Sequence, residues 1–207
     1  MHYLSLFLLS FTIALSGALA PGPLLTAVIA ESARSGAKTG PLVTLGHALV
    51  ELFMVACIAL GLARILNQPL VLKIISFSGA AMLAYFGVRL LFSLKTVSLA
   101  ALETSAGANN LAWMGITLSL LNPYWAVWWL SIGAGLVLGA QKAGWTGIAV
   151  FFCGHILADL GWYSFVSFSI SKSRRCISLS VYKMILGVCA ALLLVFGAGF
   201  ALYAFRA

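Results

Sequence analysis

Gly46-His47-Ala48-Leu49-Val50-Glu51-Leu52 returns, 108 residues further along the chain, as Gly154-His155-Ile156-Leu157-Ala158-Asp159-Leu160. The same interval pairs Arg64 with Lys172 and Gly79 with Gly187. Histidines and acids are scarce, three and four respectively in 207 residues, so composition does not account for a repeated Gly-His-x-x-x-acid-Leu pattern. The chain reads as an internal duplication. In each copy the histidine and the acid stand at i and i+4, which puts them on one face of a helix.

Around this repeat the chain is 63% hydrophobic and only 8% charged. A water-soluble domain carries about a quarter charged residues to keep its surface solvated, so this surface is built to face lipid. A hydrocarbon core about 30 Å thick takes roughly 20 apolar residues of helix to cross. Six segments qualify: 4–30, 41–64, 70–92, 110–138, 144–170 and 182–205. A transmembrane barrel would need alternating apolar and polar residues, which these continuous runs lack, and open strands would leave backbone groups unpaired in lipid. The expected fold is an all-α membrane protein of six transmembrane helices, arranged as two three-helix repeats, 1–95 and 110–207, joined by a loop at 96–109. Three spans is an odd number, so the second repeat must run opposite to the first. Inverted repeats of this kind place their solute site near the bilayer midplane, between the halves.

Basic residues give the orientation. Arg34, Lys38, Arg89, Lys95, Lys172, Arg174, Arg175 and Lys183 flank one face, against Arg64, Lys73, Lys142 and Arg206 on the other. The positive-inside rule then sets both termini on the extracytoplasmic side of the cell's inner membrane. The net charge of +8 is dispersed at helix ends, so nucleic acid is not an expected partner, and the tract Lys172, Arg174, Arg175 reads as a loop beside anionic lipid. Met1-His2-Tyr3 lacks the basic start of a signal peptide, so the first helix is expected to be retained despite Ala18-Leu19-Ala20. The cysteines (Cys57, Cys153, Cys176, Cys189) have no ligand spacing and read as small hydrophobes. Gly133, Gly135 and Gly139 suit close helix packing and are compatible with a homodimer.

The first helix of each half carries a break, Ala20-Pro21-Gly22-Pro23 in one and Leu121-Asn122-Pro123 in the other. Proline has no N–H and clashes with the preceding turn, so each site frees backbone groups. At membrane depth such groups are tolerated where protein or a wet cavity satisfies them, and half-helix ends can hold a charged ligand. A simple kink explains one break; two in matching positions favour a binding site. Tyr124, Trp125, Trp128 and Trp129 follow the second break, and some of these rings are candidates to line a substrate cavity, packing and lipid contact accounting for the others.

Glu51 and Asp159 lie within their spans, where an ionised group costs at least a few kcal/mol and normally serves a function. With His47 and His155 they admit three readings. They bind and release protons, they neutralise a substrate's charge, or all four converge on a divalent metal. A plain helix–helix hydrogen bond is the structural alternative. No nucleophile motif, phosphate loop or His-Glu-x-x-His is present, and Ser16, Ser119 and Thr26 show no partnered base, so no enzyme activity and no cofactor are expected.

Leu19-Ala20-Pro21-Gly22-Pro23, then Gly36, Lys38 and Gly40, the Gly46–Glu51 segment, and Leu118 to Pro123 together resemble the lysine exporter (LysE) superfamily, in particular its homoserine/threonine-exporter branch. The Gly79–Gly87 segment with Arg89 looks like that family's third helix. The resemblance implies export of amino acids or related small metabolites, driven by protons, with site residues Pro21, Gly22, Pro23, Asn122 and Pro123, joined by Tyr124, and the second-helix acid at Glu51. Two positions depart from it: Leu24 stands where many members have an acid, and Tyr124 where they often have lysine. Both remove charge from the expected cavity. Related heavy-metal exporters keep a divalent cation open as the solute, and a non-transporting membrane scaffold is the remaining alternative.

Overall fold

A computed structural model describes residues 2–19, 22–61, 68–96, 110–173 and 179–206, and every regular element among them is helical. The elements are α1 (Tyr3–Ala18), α2 (Pro23–Ser35), α3 (Thr39–Ala59), α4 (Pro69–Thr96), α5 (Leu111–Leu120), α6 (Pro123–Trp128), α7 (Ala134–Gln141), α8 (Gly144–Ser173) and α9 (Leu179–Arg206). A π-helical turn, Trp129–Gly133, joins α6 to α7. The expected connecting loop lies outside the described residues beyond Thr96.

Among the described residues α3, α8 and the Leu179–Leu202 part of α9 are each long and apolar enough to cross a bilayer, and α1 with α2 forms a fourth such unit bent by 72°. Shorter apolar stretches occupy Ser76–Phe92 and Leu111–Leu120. The helical, membrane-compatible class expected from composition is the one observed. α3 shows why. It buries His47, Val50, Glu51 and Met54 and turns Leu45, Leu49, Leu52 and Phe53 outward. A water-soluble helix keeps its polar stripe outside; here the polar groups are inside and the outer face is apolar, as lipid requires.

Both expected breaks are present. α1 stops at Ala18, and α2 starts with Pro23 in its first turn and an extended Gly22 before it. α5 stops at Leu120, and α6 starts with Pro123, preceded by Asn122, whose Oδ1 accepts the Tyr124 N–H at 3.1 Å. Proline serves as a first helical residue because its missing N–H has no intrahelical partner to lose. α2 in turn ends at Gly36, whose φ of 80° is a left-handed conformation that glycine adopts without strain.

Close backbone approach then brings the duplicated segments together. A Cβ on Gly46 would overlap the Ala112 carbonyl, and one on Gly115 would overlap that of Val43, so α3 and α5 touch backbone to backbone. Gly154 meets the Phe7 carbonyl in the same manner, and Ser10 Oγ donates to the Phe151 carbonyl at 2.6 Å, seating α8 on α1. α3 and α8 also pack on each other, while α4 and α9 run together along their length, with α9 touching α2. Ser167 Oγ on α8 ties back to the Ala37 carbonyl in the α2–α3 turn at 2.9 Å. Of the three glycines that suit close packing, Gly133 is taken up inside, beneath the Trp129 and Trp128 rings; Gly135 and Gly139 have open space beside them.

Gly46→Leu should therefore separate α3 from α5. Its expected cost is about 1–3 kcal/mol or more, seen as a lower melting temperature of the purified protein in detergent. Gly135→Ala, into open space, should leave the melting temperature unchanged or raise it slightly through helix propensity.

Candidate functional site

α3 contributes His47 and Glu51 and α8 contributes His155 and Asp159, all four buried. Their facing atoms form a closed ring in which imidazole nitrogens alternate with carboxylate oxygens. His47 Nε2 lies 3.1 Å from Glu51 Oε1, and that oxygen lies 3.3 Å from His155 Nε2. His155 Nε2 is 3.5 Å from Asp159 Oδ2, which is 3.9 Å from His47 Nε2. The i, i+4 pairs read from the sequence face each other across the α3–α8 contact.

The second break supplies further donors to the same oxygen. Trp125 Nε1 and Trp129 Nε1 point at Glu51 Oε1 from 3.3 Å and 3.1 Å. Trp129 begins the π-helical turn, an irregularity that often marks functional positions. Four nitrogens thus surround one carboxylate oxygen that is 1% exposed as a residue. Such donors are the means by which a buried carboxylate is tolerated.

Ser119 fixes the proton arrangement of His47. Its Oγ donates to the Gly115 carbonyl at 2.6 Å, so its single hydrogen is committed. His47 Nδ1, 2.6 Å from the same Oγ, must then be the donor in that contact. Nε2 is left facing Glu51 Oε1, and the contact is satisfied only when a proton lies between them. Ser119 does have a histidine beside it, contrary to the expectation from sequence, but its own proton goes to a carbonyl, so the pair is not a nucleophile with its base. His155 is held differently: the rings of Trp129, Trp128 and Phe151 stand 4.9, 5.2 and 6.0 Å from its own. Packing orients this imidazole, and its Nδ1 has no hydrogen-bond partner.

Glu51 Oε2 and Asp159 Oδ2 are likewise buried without a hydrogen-bond partner in the protein. Each such group costs about 1–3 kcal/mol if nothing else meets it. The asymmetry lies in their nitrogen neighbours: Glu51 Oε1 collects four, whereas Asp159 Oδ2 has two imidazole nitrogens at 3.5 and 3.9 Å. A proton or a small cation satisfies Asp159. A tetrahedral zinc site with bonds near 2.0–2.1 Å spaces its ligand atoms about 3.3 Å apart, beside separations of 3.1 to 3.9 Å around this ring. The ligand atoms of His47, Glu51 and Asp159 all lie within 4.8 Å of one another. The Ser119 contact also gives His47 the outer-shell partner that metal-bound histidines usually have, whereas His155 lacks one.

The cluster opens into a cavity of about 70 Å³, room for a few waters or one ion. Gly22, Asn122 and Tyr124, proposed from the two breaks, line it together with Leu24, Trp128 and Tyr163. Pro23 faces a neighbouring cavity on the other side of α2, Pro123 is the first residue of α6, and Pro21 lies outside the described residues. The sequence did not single out the roles of Ser119, Trp125 and Trp129. Nothing in a serine one residue from a helix end announces a histidine 72 positions away. The clustering of tryptophans after Asn122-Pro123 was the available signal for the other two.

The family model for LysE type translocators matches residues 15–204 of this chain. Chemotactic transduction protein ChpE of Pseudomonas aeruginosa is 28% identical over 194 residues, which cover 92% of this chain and 95% of that protein. No solved structure matches.

Ser119→Ala should strand His47 Nδ1 in the protein interior. The expected loss is about 1–3 kcal/mol of stability, with nitrogen-15 spectra showing His47 no longer fixed with its proton on Nδ1. An unchanged tautomer in that variant would contradict the assignment.

Proposed function

Because this chain belongs to the LysE type translocator family, we propose that it is a secondary active exporter of amino acids or related small metabolites, with protons bound at the histidine–acid cluster as the driving ion. The observation that carries the reading is the closed ring of His47, Glu51, His155 and Asp159, buried between α3 and α8 with an oxygen of each acid left without a hydrogen-bond partner. Four titratable side chains in the interior of a chain with only seven histidines and acids in all are a costly arrangement for packing alone.

The proposed architecture is six spans in two inverted halves, 1–95 and 110–207. Support comes from the duplicated segments, which meet on α3 and α8, and from the two breaks, each restarted by a proline, at α2 and α6. The basic residues argue for both termini outside the cytoplasm. On this plan the ring joins one helix from each half. A proton placed on Asp159 makes its oxygen a donor toward His155 and changes the bonding across the α3–α8 contact. Proton occupancy and the relative position of the halves are then linked, because a ligand shifts the equilibrium toward whichever arrangement binds it better. Gly22, Asn122 and Tyr124, at the breaks, form the movable walls.

A second reading has one observation in its favour, that the ligand atoms of His47, Glu51 and Asp159 lie within 4.8 Å of one another. In that case a divalent cation is the exported substrate, and the imidazoles present lone pairs instead of protons.

Reconstituted in proteoliposomes and tested with metabolites and divalent metals side by side, Glu51→Gln and Asp159→Asn should each lose at least about tenfold of the flux driven by a pH gradient while expression stays normal. Full transport with ordinary pH dependence in both variants would remove the coupling role. Calorimetry with zinc separates the second reading: saturable binding lost in His47→Ala and His155→Ala favours the metal, and no heat in the wild type eliminates it. No flux of any solute, with a partner that co-purifies, would point instead to a membrane scaffold.

A further inference from the structure

α2 has a cavity on each side. Gly22, Leu24 and Leu25 face the histidine–acid cavity. Pro23, Thr26, Ala27, Ala30, Glu31 and Arg34 face a second, larger one of about 260 Å³. These six recur at helical spacing, so they form one stripe that runs from an apolar end at Pro23 to a charged end at Glu31 and Arg34. The opposite walls continue the same gradient. Met114 and Leu118, one turn apart on α5, and Leu186 and Leu193, two turns apart on α9, give the inner lining; Arg89 on α4 joins the charged end.

Burial follows this order. Leu118, Leu186 and Leu193 are buried, whereas Arg34 and Arg89 are exposed. Glu31 is half-buried and accepts the Ser35 hydroxyl at 2.5 Å. The Arg89 guanidinium stands 6.0 Å from the ring of Tyr85 one turn earlier, which holds the side chain by its own helix. The mouth therefore presents two guanidiniums and one carboxylate, an excess of positive charge, above an aliphatic interior. Arginine suits a planar acid group, which it can pair through two parallel N–H bonds.

The sizes of the two cavities divide the work. About 70 Å³ beside the cluster holds an ion or a few waters and no organic solute. About 260 Å³ approaches the lower end of small-molecule sites. We propose that the second cavity is the solute site: it takes a small organic acid whose carboxylate meets Arg34 and Arg89 and whose apolar part lies among Met114, Leu118, Leu186 and Leu193. This rests on the exporter reading for its direction of transport, and α2 is then the partition between solute and coupling ion. The uncharged Leu24 fits this division, since it faces the ion's side and has no substrate charge to meet. An anionic lipid offers the same chemistry, an acid head on an apolar chain, and the test must separate the two sources.

The test is equilibrium binding of radiolabelled 4-methylpentanoate to the full-length protein in phosphatidylcholine nanodiscs, beside its amide and 3-methylbutylamine. The acid should bind and the amide and amine should not; Arg34→Gln and Arg89→Gln, both at exposed positions, should each weaken binding at least tenfold. Ala27→Phe, which fills the cavity without touching charge, should abolish it. Acid binding unchanged in both arginine variants, or an amide that binds as tightly, overturns the proposal. So does phosphatidylglycerol that stays bound through purification, with no binding of the free acid, which would assign the cavity to lipid. Binding is read without flux, so a failed coupling experiment leaves this result standing, and a failed binding experiment leaves proton coupling intact.

Discussion

Glu51 Oε1 is the point on which the interior closes. Two imidazoles and two indoles reach it, from α3 itself, from α8 and from the helix that follows the second break. A carboxylate buried this deeply is costly unless donors meet it, so these donors determine which helices can be neighbours. Displacing any one of the three elements leaves a buried charge short of partners, an error that costs several times what a lost methyl contact does. The outward leucines and phenylalanines of α3 specify no such geometry, because lipid receives them equally well in any rotation.

Small residues make that convergence sterically attainable. Between helices in a bilayer there is little hydrophobic drive, so close packing and polar contacts supply the association. Gly46 and Gly115 let α3 and α5 meet backbone to backbone, and Gly154 does the same for α8 and α1. Because Gly46 and Gly154 each precede the histidine of the repeated pattern, the residue that permits close approach is one position away from the residue that uses it. Gly133 acts similarly for Trp129, leaving space in which the indole can stand in the π-helical turn and point its N–H at Glu51.

In the proposed mechanism the breaks are the movable boundary of the site. α2 is short, bent by 72° from α1, and carries different chemistry on two faces: Leu24 and Leu25 toward the cluster, and the stripe from Pro23 to Arg34 toward the larger cavity. A half-helix of this kind can shift as a unit with little loss of internal hydrogen bonding, since its ladder already ends at Gly22 and Gly36. On the proposed reading, the geometry of this one short element governs how the ion site and the amphipathic cavity communicate.

The helical membrane class, both helix breaks and the four side chains of the cluster are legible in the order of the amino acids. Each of these is written in local or repetitive signals: apolar runs of spanning length, prolines that cannot continue a helix, and a histidine–acid pair repeated at one interval. The i, i+4 spacing fixed that each pair shares a face, because helix geometry alone decides it. Packing between distant helices settles that the two faces meet, that Ser119 sets the proton on His47, that both indoles choose Glu51 over Asp159, and that Pro23 looks into a different cavity from Gly22. Those outcomes depend on the crossing of helices far apart in the chain and on the one-residue phase of α2. No local pattern encodes such relations: they depend on which side chains the packing of distant helices brings within bonding reach.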